Sequence, residues 1–518
     1  MSAIPEDNRP PRVGLGMLKR FALGAVLIMV LSGATVASAV LLEVNQLTTI
    51  ITKESKPIPG IKGALDNVNP GGPQTILVLG SDRRFIDIKE KNPTRSDTIM
   101  LVRLDPGKGA TAVMSIPRDL KVTIQTRQGP VTDKINAAYA LGGPRLSVQT
   151  VRALLHVPIN HVVNVNFGGF QRAVNRLGCV YVDVDHRYYH SNLGLAPSQQ
   201  YAEINISPGY QKLCGKQSLD YVRYRHTDSD FVRAARQQDF LRQAKDQIGL
   251  GAIFGDRKEL LRIFGRYTQT DIASDNTQAI LKLLKLAFES SRNPISEVHF
   301  RGDAGPTYVT VTPQNLQLSR DEFLNVRSSN GPRKTGQASQ KASKKVSKKP
   351  AKRTRKQSTS ATAGLPPSMV DARTEGENLI AKASMHLGFP LYYPRARLGV
   401  GSYPASTAIS PNPRVYDISD RGRHRYRAYR IVGYAGQDGQ YYGIQGTTWK
   451  SPPILDNPTD EIHMRGRTYE EFYDGSRLRL IAWRTPNAVY WVSNSLSELL
   501  SNPEMRALAR SLSRLGDK

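Results

Sequence analysis

Cysteine is nearly absent from this chain, with two in 518 residues, Cys179 and Cys214. That excludes a Cys-rich zinc module and a disulfide-dense scaffold. Acidic residues are scarce beside basic ones, 44 against 72, leaving a formal charge of +28. A balance that basic predicts anionic partners: nucleic acid, anionic lipid, phosphates or an acidic polymer. Tryptophan occurs only at Trp449, Trp483 and Trp491. Such rings either stack on sugars or fill a core, and core is the commoner use. Long uncharged apolar runs are missing everywhere except residues 21–42, so no later segment reads as a second membrane span. There is no nucleotide P-loop, no zinc-protease helix motif and no nucleophile-elbow pentapeptide. His156, His161, His186, His190 and His226 are scattered without metal-ligand spacing and read as surface or packing residues. What is present, 39% hydrophobic and 22% charged residues, is enough for sizeable cores and excludes a chain disordered throughout.

Residues 21–42 read FALGAVLIMVLSGATVASAVLL, with no charge. They are long enough to cross a bilayer core of ~30 Å. Lys19 and Arg20 precede them and Glu43 follows. The positive-inside rule then puts residues 1–20 in the cytoplasm and the rest outside, a single-pass cell-membrane protein. The alternative is a cleaved signal peptide, because Ala34–Ala39 is rich in small residues. Continuation of the apolar run through Leu41 and Leu42 favours an uncleaved anchor. Outside the membrane, the anionic partners are lipid phosphates and envelope polymers rather than nucleic acid. In that oxidising compartment Cys179 and Cys214 can pair. A bridge would add roughly 3–4 kcal/mol on the loop-entropy model, and two buried free thiols are the alternative.

Residues 43–73 read as a stalk that ends in the turn-rich Asn69-Pro-Gly-Gly-Pro73. Residues 74–326 alternate strand-like and helical runs, an α/β pattern with its core at 74–250. Ala279–Phe288 has helical pattern and Tyr308–Thr312 is strand-like. Residues 327–369 form a linker whose stretch 327–360 holds twelve Lys or Arg and no acid. It reads as disordered, either touching an anionic polymer or lipid surface or simply a solvated spacer. Residues 370–518 form a smaller α+β unit. Its strands are expected at Tyr426–Tyr434, Gln440–Thr447, Leu478–Trp483 and Ala488–Ser493, with a closing helix over Ser495–Leu515.

Three apolar runs, Thr75–Leu79, Thr98–Leu104 and Thr111–Ile116, follow one another. The first leads into Ser81-Asp82-Arg83-Arg84, the second follows Arg95-Ser96-Asp97, and the third ends in Pro117-Arg118-Asp119. As an antiparallel meander they would gather Asp82, Asp97 and Arg118 on one sheet edge. Two carboxylates among arginines offer donors for a divalent metal and a phosphate. Three polar turns with surface ion pairs are the alternative. A second cluster lies in SLDYVRYRHTDSDFVRAARQQDFL, residues 218–241. With Val222–Arg225 extended, Arg223 and Arg225 share a side. Asp228 or Asp230 caps a helix starting near Phe231, on which Arg233 and Gln237 share a face with Arg236 adjacent. Val232, Ala235, Leu241 and Ala244 are expected to face the core. Arginines in a first turn oppose the helix dipole unless an anion or an acidic partner is present.

Taken together, ILVLGSDRR, RSDTIMLVRLD, MSIPRDLKV, KINAAYALGG, FGGFQRAVNRLG and DYVRYRHTDSDFVRAARQQ resemble the LytR-CpsA-Psr family of bacterial envelope proteins. The resemblance covers residues 74–250. It implies a membrane-anchored phosphotransferase that moves a glycopolymer from a polyprenyl-pyrophosphate carrier to peptidoglycan through a phosphodiester. The implied fold is a central sheet, mixed and with antiparallel strands, flanked by helices, with a deep apolar pocket for the lipid tail. Asp82 and Asp97 match the family's metal-linked carboxylates, with Mg²⁺ as the implied ion. Arg118, Arg223, Arg225 and Arg233 match its pyrophosphate-binding arginines, Asp230 and Gln237 support them, and Arg83, Arg84 and Arg95 flank the first motifs. The resemblance departs at Cys179, within Gly178-Cys179-Val180, and at Cys214. Both departures are cysteines, which supports a bridge. The unit after residue 370 is not the family's usual small partner, though actinobacterial members carry similar extensions. A non-catalytic envelope protein that binds polyprenyl-linked precursors or anionic wall polymer is the competing reading. A transcriptional regulator is disfavoured by the anchor and by the lack of a helix-turn-helix pattern.

Overall fold

The computed structural model describes residues 46–67, 72–81, 96–196, 200, 202–224, 228–248, 255–272, 277–291, 293–326, 365–381, 387–420, 424–437, 439–464 and 466–515. The apolar run 21–42, the basic tract 327–360 and the residues Asp82, Arg83, Arg84, Arg95 and Arg225 lie outside them.

The first unit is built on strands β1 (Lys56–Pro57), β2 (Gln74–Ser81), β3 (Ser96–Asp105) and β4 (Ala110–Ser115), a hairpin of β5 (Lys121–Thr126) and β6 (Gly129–Lys134), and β7 (His161–Asn166). Then come β8 (Val180–Val184), β9 (Tyr188–His190), β10 (Ile204–Ile206), β11 (Gly209–Leu213), β12 (Thr268–Thr270) and β13 (Ile295–Val298). Seven of them form one sheet in the order β1-β12-β7-β2-β3-β4-β13. β2, β3 and β4 pair antiparallel as the expected meander, while β7 joins β2 and β13 joins β4 in parallel. The sheet is therefore mixed, as the α/β reading anticipates.

Strand alternation gives this sheet two apolar faces. Leu77, Leu79, Ile99, Leu101, Ala112, Met114 and Val162 point to one face and are buried with Val148, Val151 and Leu155 of the Ala137–Leu155 helix. Val78, Thr98, Met100, Val102, Leu104, Val113 and Val165 point to the other, and they line a cavity. Helices Phe167–Arg176, Gly215–Arg223, Asp230–Gln247 and Thr277–Ser291 roof that second face.

The stalk expected at 43–73 is in part a piece of the domain. Residues 46–54 include helix, β1 pairs with β12, and Ile58, Ile61 and Ala64 enter the main core. Burial of these apolar side chains in the main core makes the segment part of the domain rather than a solvated tether. Tyr308–Thr312 shortens to a two-residue strand, Val309–Thr310. Cys179 and Cys214 are bridged, with Cα atoms 4.6 Å apart, tying the start of β8 to the residue before the Gly215–Arg223 helix.

The second unit holds a seven-stranded antiparallel sheet. Its order is Arg414–Asp420, His424–Tyr434, Tyr441–Thr447, Val489–Ser493, Arg477–Arg484, Arg467–Asp474 and Asp460–Met464. The expected closing helix over Ser495–Leu515 is only Asn502–Ser511. Pro503 has no N–H and is tolerated only in a first turn. Ser501 and Glu504 form a capping box there, so the helix cannot extend back to residue 495. All three tryptophans are buried.

One face of this second sheet carries Trp483 and Tyr490, which share a core with Leu508 of the Asn502–Ser511 helix. Its other face, with Tyr416, Phe472, Leu480 and Trp491, packs on Tyr181 of β8 and Tyr210 of β11. Within that interface Arg430 donates to Asp183 Oδ1 at 2.5 Å, and the Trp491 indole donates to Asp183 Oδ2 at 3.3 Å. Arg430→Ala leaves Asp183 buried with the indole alone, and the urea midpoint should fall by the equivalent of ~3–5 kcal/mol. The bridge closes a loop with a sequence separation of 35. Cys179→Ser with Cys214→Ser should lower stability by about 4 kcal/mol on the chain-entropy model, read from the same titration.

Candidate active site

The meander brings the start of β3 and the end of β4 to one edge. Asp97 is the second residue of β3, and Arg118 follows the Pro117 turn after β4. An Arg118 Nη donates to Asp97 Oδ1 at 2.7 Å. Its Nε stands 3.7 Å from a carboxylate oxygen of Asp119 and 3.7 Å from one of Asp230. Asp230 opens the Asp230–Gln247 helix and accepts from the Asp119 backbone N–H at 3.1 Å. It also pairs with Arg233 at 2.9 Å, while Lys134 of β6 sits 3.0 Å from Asp119.

Arg233 is almost fully buried, 6% exposed at its side chain. Burial pulls its pKa down to about 10, against which Asp230 raises it and Arg118 lowers it further. It stays cationic at neutral pH. One turn on, the Gln237 amide donates to Thr98 Oγ1 and to the Val222 carbonyl, each at 3.1 Å. Arg223 ends the Gly215–Arg223 helix, pairs with Asp220 at 3.1 Å and lies 5.7 Å over the Phe167 ring. Among the described residues, no acceptor lies within hydrogen-bond distance of the buried Nε–H groups of Arg118 and Arg223.

The structure thus brings Asp97, Arg118, Asp230, Arg233 and Gln237 together, with Arg223 beside the apolar lining. Asp119, Lys134 and Thr98 contact this cluster and Asp220 pairs with Arg223; each lies inside a motif stretch but is not singled out there as a site residue.

Four expectations change. Val222 and Arg223 are helical rather than extended, because Leu219 and Tyr221 bury one side of the Gly215–Arg223 helix. The cap of the next helix is Ser229, whose side chain accepts from Val232 N–H, and not Asp228 or Asp230. Those two acids are the partners that let arginines sit in a first turn, Asp230 with Arg233 and Asp228 with Arg236. Arg236 is fully buried, lies 4.6 Å over the Tyr188 ring and donates to the carbonyls of Tyr221 and Tyr224, so it holds packing rather than facing the site. Leu241, 37% exposed, lines the cavity instead of the core, and Phe240 also lines it. Two of the histidines are packing residues, as the sequence reading allows: His161 is a buried link between Asp271 and Gln74, and His186 stacks on Tyr441.

The cavity under the second sheet face has a volume of about 530 Å³. Its wall is aliphatic and aromatic, and its polar members include Thr98 and Gln237. Thr98 adjoins Asp97, and Gln237 is one turn from Arg233. An amphipathic molecule with a long apolar tail and an anionic head matches this sequence of surfaces. For a metal, the described residues hold no group of three or more ligating side chains. Mg²⁺ commonly takes only one or two carboxylates and completes its shell with substrate phosphates and water. Asp97, about a third exposed with one oxygen on Arg118, fits that donor set.

Residues 39–326 match the LytR_cpsA_psr family, and the chain belongs to it. Two relatives carry transferase names. The polyisoprenyl-teichoic acid–peptidoglycan teichoic acid transferase TagU of Oceanobacillus iheyensis is 29% identical over 327 residues, 58% of this chain and 92% of that protein. TagU of Bacillus cereus is 30% identical over 277 residues, 52% of this chain and 84% of that protein. The crystal structure of B. subtilis TagT is 26% identical with a TM-score of 0.37, covering 50% of this chain and 93% of TagT. The family match ends at residue 326, before the second unit.

Val102→Trp places an indole in the cavity. It should weaken binding of an apolar fluorescent probe at least tenfold, about 1.4 kcal/mol, with the melting temperature held.

Proposed function

We propose that this protein is a membrane-anchored phosphotransferase outside the cytoplasmic membrane. It moves a glycopolymer from a polyprenyl-pyrophosphate carrier to peptidoglycan and leaves a phosphodiester link. The observation that carries this reading is the continuity of the apolar cavity with the Asp97–Arg118–Arg233 cluster through Thr98 and Gln237. The relatives' names, which join a polyisoprenyl carrier to peptidoglycan, support it. The anchor rests on residues 21–42, and the bridged Cys179–Cys214 pair agrees with an oxidising compartment.

In this mechanism the prenyl tail lies along Val78, Met100 and Val102. Arg118, Arg223 and Arg233, with Arg225 and the arginines near Asp82, hold the diphosphate and stabilise charge that grows during transfer. Guanidinium groups suit this role because they stay charged and match phosphate oxygens in pairs. Asp230 keeps Arg233 and Arg118 in place, and Gln237 ties the helix to β3 through Thr98. A peptidoglycan hydroxyl, the muramic acid 6-hydroxyl by family resemblance, attacks the sugar-linked phosphorus. The new O–P bond forms as the bridging P–O bond breaks, and polyprenyl phosphate leaves with the bridging oxygen. Asp97 or Asp82 takes the hydroxyl proton. Mg²⁺, held by Asp97 with Asp82, would supply Lewis acidity and charge neutralisation on the phosphate oxygens.

The test mixes the full chain in proteoliposomes with a synthetic polyprenyl-pyrophosphate glycan and peptidoglycan oligomers. Mass spectrometry should find a phosphodiester-linked product that disappears with chelator. Arg118→Ala should lower turnover at least ~10²-fold. Turnover retained in Arg118→Ala removes that residue's role, and turnover with chelator removes the metal. Tight retention of lipid without any turnover would replace the transferase by the binding protein.

A further inference from the structure

The Asp230–Gln247 helix carries site residues at one end and is held by the second unit at both. At its start, the loop before Tyr441–Thr447 comes against it. A Cβ added to Gly439 would lie 3.1 Å from Asp228 Oδ1 and 3.1 Å from Val232 Cγ2. Gly439 has φ +73, a conformation that favours glycine, and a side chain there would crowd both atoms. Beside it, the Tyr441 ring stacks 4.3 Å from His186, which contacts Asp185 at 3.1 Å. Asp185 in turn accepts from Tyr188, over whose ring Arg236 lies.

At the far end, Arg242 is buried and clasped by three carboxylates. Asp239 belongs to its own helix. Glu297, on β13, stands 2.9 Å away, and Asp474, at the end of Arg467–Asp474 in the second unit, stands 3.2 Å away. Asp474 also accepts from the Glu297 backbone N–H at 3.4 Å. Burial alone would lower the Arg242 pKa, but Glu297, Asp239, Asp474 and Glu498 outweigh it and keep the group charged. A buried guanidinium cannot swing into water, so its partners fix the helix along its axis. Arg242 lies nine residues from Arg233, about 14 Å along that axis.

We propose that the C-terminal unit is a positioning device for this helix: Asp474, through Arg242, together with the Gly439 loop, sets where Arg233 and Gln237 stand. The proposal rests on the transferase reading and assigns a role to the unit beyond the family match. Asp474 touches no substrate and is a positioning residue. Displacement of a transition-state contact by about 1 Å can cost ~10²-fold in rate, so a small slackening here is enough.

The test uses the full chain in proteoliposomes. Asp474→Asn keeps the shape and removes the charge. Its kcat should fall about tenfold or more while KM for the lipid-linked donor changes less than about threefold. Amide exchange at residues 230–237 should rise about tenfold, with the C-terminal sheet still protected. Leu508→Ala loosens the core of the second unit away from the interface and should keep kcat. Equal losses of kcat in the two variants would reduce the effect to general stability and overturn the proposal. Unchanged exchange at 230–237 in Asp474→Asn would overturn it too. If the wild-type chain shows no turnover, the transferase reading fails by itself, and the exchange comparison still decides whether the unit holds the helix.

Discussion

A sheet with two apolar faces must be covered on both, and here only one is filled. Under β2, β3 and β4 the Ala137–Leu155 helix packs its side chains against Leu77, Leu79, Ile99 and Leu101. Over the other face four helices form a roof but leave a space of about 530 Å³. Side chains that fit closely would close that space. Val78, Thr98 and Val102 instead remain partly accessible on a surface that alternation alone would have buried. The place of the charged site follows from the same geometry, because the strands that floor the cavity end where Asp97 and Arg118 meet.

Burying arginines is the second constraint. Each guanidinium needs an acid or a set of carbonyls, or it is not retained. Arg233 has Asp230, Arg236 has Asp228 with two carbonyls, and Arg242 has Asp239, Glu297 and Asp474. The three arginines lie on one helix but do three different things. Their partners decide which, and only Arg233 belongs to the edge that carries Asp97. The same bookkeeping explains how basic residues occupy a first turn against the helix dipole.

The second unit is joined by the same two kinds of contact. Its sheet would expose Tyr416, Phe472 and Trp491 were it alone, and Tyr181 and Tyr210 cover them. Among the described residues, the Asp183 carboxylate accepts hydrogen bonds from Arg430 and Trp491 across the boundary. An apolar face and a buried ion pair that are both completed by the neighbour make the two units one packed body in the described residues.

The sequence by itself determined the meander, its strand boundaries to within two residues, and the meeting of Asp97 with Arg118. Period-two alternation and turn residues are local signals, and an antiparallel meander converts them directly into proximity. It also determined the core role of the tryptophans. Asp82, Arg83, Arg84, Arg95 and Arg225 lie outside the described residues, so their part of the site rests on the motif alone. Only the tertiary structure decided that 46–65 pack into the domain, that Arg236 is structural while Arg233 is not, and that Asp119 and Lys134 join the site. It alone decided that Leu241 faces a cavity and that Asp474 reaches Arg242 across 232 residues. These outcomes depend on which faces meet and which charges find partners far along the chain, and no local pattern encodes a partner that distant.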